Sequence, residues 1–148
     1  MKSAAYSYGD ELLSELNISI SQGSFYFLTG PSGSGKTTFL KMCYGSLVPT
    51  SGALTIFGKE SSDLTRDEMA YLRRKIGVVH QDCQFLDHLN VNDNIALPIM
   101  VSGQNSLSDN VNLKELLNWV GLSHRSKALP PELSGGERQR AALARAII

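Results

Sequence analysis

The sequence predicts an α/β fold that is interrupted by a helical lobe. A glycine-rich loop, residues 30–35, stands between a short apolar segment and an amphipathic one, which gives the order strand–loop–helix. Strand-like and helix-like segments alternate as far as Gln81, as is typical of layered α/β cores. Beyond Gln81 the pattern is helical, apart from a break at Pro130 and Pro131. We therefore expect an α/β core with a small helical insertion after Gln81.

Five segments have the features of β-strands. Residues 16–20 alternate apolar and polar side chains, the period of a strand with one buried face. Residues 25–28 and 76–79 are short apolar runs, rich in aromatic or β-branched side chains, which favours buried strands. Turns are expected at Gly9 and Gly23. The predicted strands are residues 2–8, 16–20, 25–28, 53–57 and 76–79.

Helices are predicted from periodicity and from their end signals. Gly45 ends the helix that follows the glycine loop, and Gly121 ends a later one. Thr65 is a suitable N-cap because two acidic residues follow it in the first turn. Ser134 opens the last helix. The predicted helices are residues 36–44, 66–75, 90–101, 113–120 and 135–148, with a polar connection at 102–112.

Composition excludes several classes of protein. The 148 residues correspond to about one domain, and 14 basic residues balance 14 acidic ones, so no basic excess points to a nucleic-acid partner. Cys43 and Cys83 lack the spacing of metal ligands, which favours a reducing, cytosolic compartment. No apolar run approaches the roughly 20 residues that cross a bilayer.

The glycine loop matches the pattern G-x4-G-K-[S/T] of a phosphate-binding loop. Its residues are Gly30, Pro31, Ser32, Gly33, Ser34, Gly35, Lys36 and Thr37. Glycine lets the backbone curve around a phosphate and direct N–H groups at it, next to the positive end of a helix. Lys36 would reach the β and γ phosphates, the Thr37 hydroxyl would ligate Mg²⁺, and Thr38 could donate a further hydrogen bond. A simple glycine turn is the alternative, and the motif alone does not separate kinases, GTPases and transporter ATPases.

A second glycine site begins the last helix. Ser134 and Glu137 have the spacing of a capping box, which by itself indicates only a well-capped helix. A capping box does not require the pair Gly135 and Gly136, which weakens the first turn by roughly 1 kcal/mol per residue relative to alanine. The pair offers close access to backbone at a helix N-terminus, where an anion is stabilised. We predict that this helix meets a phosphate.

Two motifs together resemble the ATP-binding-cassette (ABC) ATPases: GPSGSGKTT resembles their Walker A loop and LSGGERQR their signature. The resemblance implies a RecA-like P-loop NTPase core with an N-terminal antiparallel β subdomain and an inserted α-helical subdomain. It implies residues 1–82 for the β subdomain and core, 83–133 for the helical subdomain and 134–148 for the signature helix. It also implies ATP and Mg²⁺ as ligands, and a homodimer in which Ser134, Gly135 and Gly136 face the γ-phosphate bound by the other subunit.

Other positions match the family one by one. Gln81 matches the family's glutamine that senses Mg²⁺ or the attacking water, although His80 replaces the aromatic residue often found before it. Tyr8 resembles the aromatic residue that stacks on adenine, and Tyr6 is the alternative. Arg138 and Arg140 are predicted to be solvated charges of the last helix.

The family's Asp-Glu pair and its later histidine normally follow the signature helix. We expect from this that the chain is incomplete at its C-terminus, that it folds poorly alone and that it does not turn over ATP. Hydrolysis needs one carboxylate to hold Mg²⁺ and another to position water.

Longer stretches indicate a branch of the family. LRRKIGVVHQD, FLDHLNVNDNIALPIMVSG and LPPELSGGERQR resemble the FtsE-type ATPases of bacterial cell division. The resemblance implies an FtsX-like integral membrane partner and a peripheral position on the cytoplasmic face of the bacterial inner membrane. LolD- and MacB-type transporter ATPases remain alternatives. A soluble ABC protein acting on DNA or ribosomes is an alternative of another class, although no heptads or basic face support it.

Overall fold

The structure, a computed structural model, describes residues 1–8, 10–102 and 107–148. Within these ranges the side chains of residues 8, 10–12 and 107–111 are outside the description. The chain forms two compact units, Met1–Lys75 and Ile76–Ile148. Each unit carries one of the two glycine motifs.

The first unit contains a three-stranded antiparallel sheet and a separate hairpin. Strand β1 (Lys2–Tyr8) lies between β2 (Asp10–Leu16) and β3 (Ser51–Ala53). The hairpin consists of β4 (Thr55–Ile56) and β5 (Lys59–Glu60). The resemblance predicts an antiparallel β subdomain at this end of the chain, and the sheet has that architecture.

Two helices complete the core of the first unit. Helix α1 (Lys36–Cys43) follows the glycine loop, and α2 (Arg66–Arg73) begins with a capping box between Thr65 and Glu68. The Arg73 guanidinium donates hydrogen bonds to the Gly45 carbonyl, which ties α2 to the end of α1. The buried apolar side chains of this unit are Ala4, Phe39, Met42, Leu54, Ile56, Met69 and Leu72.

The second unit is helical. Helix α3 (Val91–Ser102) packs against α4 (Leu107–Trp119) and α5 (Gly135–Ile147). Single 3₁₀ turns at Ser123–Arg125 and Pro130–Glu132 connect α4 to α5. The buried core consists of Val91, Ile95, Leu113, Leu117, Val120, Leu122, Leu133, Ala141 and Ala144.

Most predicted helices and the first strand are confirmed. The main difference among helices is α4, which begins at Leu107 although the sequence predicted a polar connection at 102–112. The prediction depended on the apolar face of Leu113, Leu117 and Val120 and did not extend the helix back to Leu107 and Val111, which are separated by polar residues. Of the predicted connection, residues 103–106 lie outside the described part of the structure, as does the turn predicted at Gly9.

Four of the predicted strands are wrong in whole or in part. Residues 17–20, 25–28 and 76–79 are not strands, and residues 53–57 contain the last residue of β3 and the whole of β4. An apolar run predicts burial, but a strand also needs a neighbour that accepts its backbone hydrogen bonds. No described strand pairs with residues 25–28, and Phe25 and Phe27 are 82% and 83% exposed.

The close approach of β3 to β1 requires glycine at one position. Gly52 has φ +75°, and a Cβ there would overlap the Ser3 carbonyl. Gly58, in the turn of the β4–β5 hairpin, has a similar φ of +80° but no atom within 4 Å of the same position.

We predict that Gly52→Ala destabilises the protein by at least about 1–2 kcal/mol more than Gly58→Ala. Both substitutions strain the backbone, but only the first adds a clash with backbone atoms. Urea unfolding followed by circular dichroism measures the difference. Equal losses in the two variants would show that the β1–β3 contact is not as described.

Candidate nucleotide-binding site

The loop before α1 has the backbone of a phosphate-binding turn. Gly33 and Gly35 both have φ +81°, a left-handed conformation that glycine adopts without strain. The Ser34 N–H donates to the Pro31 carbonyl across 3.3 Å, and the Phe39 N–H donates to the Gly35 carbonyl across 2.8 Å. The loop is therefore a tight turn that passes directly into the first turn of α1.

Lys36 holds the two sides of this loop together. Its ammonium donates to the Gly30 carbonyl at 2.8 Å, to the Pro31 carbonyl at 2.5 Å and to Ser34 Oγ at 3.4 Å. Carbonyl and hydroxyl oxygens thus surround the charge. Phosphate oxygens are stronger acceptors for an ammonium, so the same group can hold a phosphate placed over the loop.

The two threonines after Lys36 differ in exposure. The Thr37 residue is exposed on the first turn of α1, whereas Thr38 is buried at 9% exposure. An exposed hydroxyl at this position can reach a cation next to a bound phosphate. The glycine turn, the ammonium and the Thr37 hydroxyl together fit a Mg²⁺–nucleotide. Among the described residues no group of His, Cys, Asp and Glu side chains has the arrangement of a metal centre.

The capping box predicted at the second glycine site is present. The Ser134 N–H and hydroxyl each lie 2.8 Å from Glu137 Oε2, and the Glu137 N–H donates to Ser134 Oγ at 3.3 Å. Arg125 adds an ion pair, with Nε 3.0 Å from Glu137 Oε1. The hydrogen bonds from Ser134, followed by the Arg125 contact, lower the pKa of Glu137 to about 2.

Neither glycine of this site is required by the chain's own packing. Both are helical, and a Cβ at Gly135 would have no atom within 4 Å. A Cβ at Gly136 would meet only the flexible end of Arg140, at 3.6 Å. The first turn of α5 therefore exposes bare backbone that the described fold does not use.

The two arginines predicted to be solvated make specific contacts. Arg140 Nε donates to the Val120 carbonyl at 3.0 Å and so joins α5 to the end of α4. The Arg138 guanidinium lies 5.8 Å from the centre of the Phe85 ring. Arg140 is nevertheless exposed, as predicted, and Arg138 is half-buried, so what the sequence did not reveal is the distant partner of each arginine.

The remaining predicted positions are less fully defined. Gln81 is exposed and lies in an irregular segment of the second unit. Tyr8 ends β1 opposite Asp10, but its side chain is outside the description. Tyr6, the alternative, pairs with Leu13 and is half-buried.

Sequence reasoning missed the buried amide of Asn94. Its Oδ1 accepts from the Leu86 N–H, and its Nδ2 donates to the carbonyls of Leu86, Leu89 and Asn90, at 2.8–3.1 Å. This side chain is fully buried and fixes the loop that leads from Gln81 to α3. The signal was an asparagine on the apolar face of a helix, between Val91 and Ile95.

The phosphate loop before α1 and the serine–glycine start of α5 define a P-loop nucleotide-binding protein. The sequence profile of the ABC transporter family matches residues 13–148. The chain therefore belongs to the ABC transporter family.

Similar proteins include two subgroups of this family. The chain is 39% identical over 144 residues to the cell division ATP-binding protein FtsE of Bacillus subtilis, covering 97% of this chain and 63% of that protein. It is 41% identical over 136 residues to FtsE of Mycobacterium tuberculosis, covering 92% and 59%. It is 41% identical over 150 residues to the lipoprotein-releasing system ATP-binding protein LolD 1 of Rhodopirellula baltica, covering 99% and 66%. The chain thus spans less than two thirds of the length of these relatives.

A solved structure has the same fold. The dimeric structure of MJ0796, a bacterial ABC transporter cassette, matches with a TM-score of 0.86 and 32% identity, covering 99% of this chain and 67% of that one. A second dimeric structure of the same cassette, bound to ADP and Pi, matches with a TM-score of 0.86 and 33% identity. The predicted α/β P-loop class is confirmed.

We predict that Glu137→Gln lowers the melting temperature at pH 7 and removes part of its pH dependence. Because folding lowers this pKa, the carboxylate's stabilisation is complete above the ordinary value of 4.5 and is lost as the pH falls towards about 2. The difference between wild type and variant should therefore shrink over that range. Thermal unfolding at several pH values measures it.

Glu115→Gln, at an exposed position of α4, is the matched control for Glu137→Gln. It should leave the pH profile close to that of the wild type. A Glu137→Gln difference that is constant from pH 7 to pH 3 contradicts the proposed role of the capping carboxylate.

Proposed function

We propose that the whole gene product is an ATP-binding subunit of an ABC-type membrane complex. The observation that carries this proposal is the loop at residues 30–35 with the Lys36 ammonium fixed above it. Lys36 would bind the β and γ phosphates, backbone N–H groups of the loop would bind their oxygens, and Thr37 would ligate Mg²⁺. Thr38 would donate a further hydrogen bond, and Tyr8 would stack on the adenine.

The open backbone at Gly135 and Gly136 supports a role in trans. A helix start that exposes glycine without an internal need is suited to a ligand carried by another molecule. In the proposed homodimer, Ser134 and the two glycines of one subunit contact the γ-phosphate held by the loop of the other. The dimeric state of the similar MJ0796 cassette supports this assembly.

Hydrolysis would require groups beyond the two glycine sites. Gln81 would contact Mg²⁺ or the attacking water, and two carboxylates would complete the site. The adjacent acid pairs in the sequence are Asp10 with Glu11 and Asp67 with Glu68. Glu68 is engaged in the capping box of α2, and neither pair follows an apolar strand. We propose that residues 1–148 bind ATP without steady turnover.

The membrane connection is proposed from the relatives. Among the described residues no helix is long and apolar enough to cross a bilayer. The FtsE relatives favour an FtsX-like partner in bacterial cell division, with this subunit on the cytoplasmic face of the membrane. The LolD relative, of equal identity, favours a lipoprotein-releasing transporter as the second candidate. We propose that residues 1–82 form the β subdomain and P-loop core, residues 83–133 the helical subdomain and residues 134–148 the signature helix.

We predict that Lys36→Ala weakens ATP binding by at least about tenfold, because it removes the charge that meets the terminal phosphates. Titration with a fluorescent ATP analogue measures the affinity. Lys41→Ala, in the last turn of the same helix, should bind like the wild type. Equal binding by the two variants would remove the main support for the proposal.

We predict that Gly135→Leu leaves the fold intact but abolishes ATP-dependent association of the whole gene product. The Cβ added at this position has open space around it, so we expect the loss of association to arise where another molecule approaches. Sedimentation velocity with and without ATP measures association. Gln139→Leu, at an exposed position of the same helix, is the control and should still associate. Association of Gly135→Leu at the wild-type level would contradict the dimer proposal.

A further inference from the structure

The loop that follows Gln81 is attached to the signature helix through one aromatic ring. The ring of Phe85 has the Arg145 guanidinium 4.8 Å from its centre and that of Arg138 at 5.8 Å. Both distances are within the range of a cation–π contact. The two arginines lie seven residues apart on α5, two helical turns, so they are on one side of that helix.

The same loop is fixed at both of its ends. Before Gln81, a Cβ on Gly77 would overlap the Ala146 carbonyl, so the backbone here lies directly against the end of α5. After Phe85, the buried Asn94 amide binds both the N–H and the carbonyl of Leu86. Between these points Cys83 is buried and has φ +44°, an unfavourable conformation for a residue with a side chain. The loop therefore has little freedom to move independently of α5.

A purely apolar role does not explain the arrangement around Phe85. The ring is only partly buried, and it packs against the edge of the helical core. Two guanidinium groups on the ring add an electrostatic preference for an aromatic side chain over an aliphatic one. Arg145 is itself partly desolvated, and burial lowers its pKa, so its charge gains from the electron-rich ring surface.

We propose that Phe85 is a positioning residue that joins the loop of Gln81 to the signature helix, so that Gln81 and the glycines at 135 and 136 move as one body. The inference rests on the proposed function, because it concerns how two parts of the proposed ATP site, Gln81 and the glycines of α5, are held together. Phe85 itself touches neither nucleotide nor metal. Its effect would be transmitted through Arg138 and Arg145.

The test compares Phe85→Leu with Phe85→Tyr in the whole gene product. Leucine keeps the apolar contact but not the ring, whereas tyrosine keeps the ring. We expect Phe85→Leu to lower kcat for ATP about five- to tenfold with a change in KM below about twofold, and Phe85→Tyr to remain near the wild type. A double-mutant cycle with Arg145→Met should show that the two losses are not additive.

A second measurement tests the connection between the loop of Gln81 and α5 without using ATPase activity. Cys83 is buried in the same loop, two residues before Phe85, so its reaction with a thiol reagent should accelerate at least about tenfold in Phe85→Leu and not in Phe85→Tyr. Every variant carries Cys43→Ser, and any cysteine outside residues 1–148 is also replaced by serine, so that Cys83 is the reporter. Phe57→Leu, at an exposed ring in the first unit, is the control and should protect Cys83 as the wild type does.

The outcomes distinguish a failure of the proposed function from a failure of the proposed role of Phe85. If the wild type neither binds nor hydrolyses ATP but Cys83 responds as described, the proposed function fails and the link stands. If the wild type is active and Phe85→Leu equals it in kcat and in thiol protection, the link is wrong. If both Leu and Tyr variants lose activity equally, the ring acts through packing alone and the positioning role is also contradicted.

Discussion

The proposed function depends above all on one constraint: the backbone must remain accessible at the starts of helices α1 and α5. Before α1, glycine is required by conformation, because Gly33 and Gly35 both adopt φ +81°. At the start of α5 it is not, because both glycines are helical and a Cβ on Gly135 would be unopposed. Glycine in a helix costs up to about 1 kcal/mol relative to alanine. The conformation of the loop therefore requires glycine at the first site, whereas the described packing does not require it at the second.

The charged side chains near the starts of α1 and α5 also differ. At α1 a single ammonium, Lys36, stands among neutral acceptors and can transfer its hydrogen bonds to a phosphate. At α5 the capping carboxylate of Glu137 would repel a phosphate at short range. Arg125 pairs with that carboxylate at 3.0 Å and offsets its charge. The ion pair thus allows the same glutamate to cap the helix beside the backbone that we propose as an anion site.

The sequence correctly predicted the features that depend on residues close together in the chain. The glycine loop, the N-cap at Thr65, the capping box at Ser134 and the helix after Lys36 depend on residues within a few positions of one another, and they are found as expected. Residues 25–28 and 76–79 were predicted as strands from their apolar character, but a strand is decided by a distant partner that no local pattern reveals. The contacts of Arg140 with Val120, and of Arg138 and Arg145 with Phe85, were missed for the same reason. The buried amide of Asn94 shows the limit most clearly, because its four hydrogen bonds all go to backbone that the fold brings around it.

The central claim is that the loop of one copy and the serine–glycine helix of another bind the same nucleotide. Mixing two defective whole gene products, one with Lys36→Ala and one with Gly135→Leu, tests it directly by nucleotide-dependent association in sedimentation velocity. If the two sites act across copies, each mixed pair contains one composite site with both halves intact, so ATP should restore association that neither variant shows alone. If both halves of a site came from the same copy, every site in the mixture would carry a defect. A mixture that remains monomeric with ATP, under conditions where the wild type pairs, would contradict the claim.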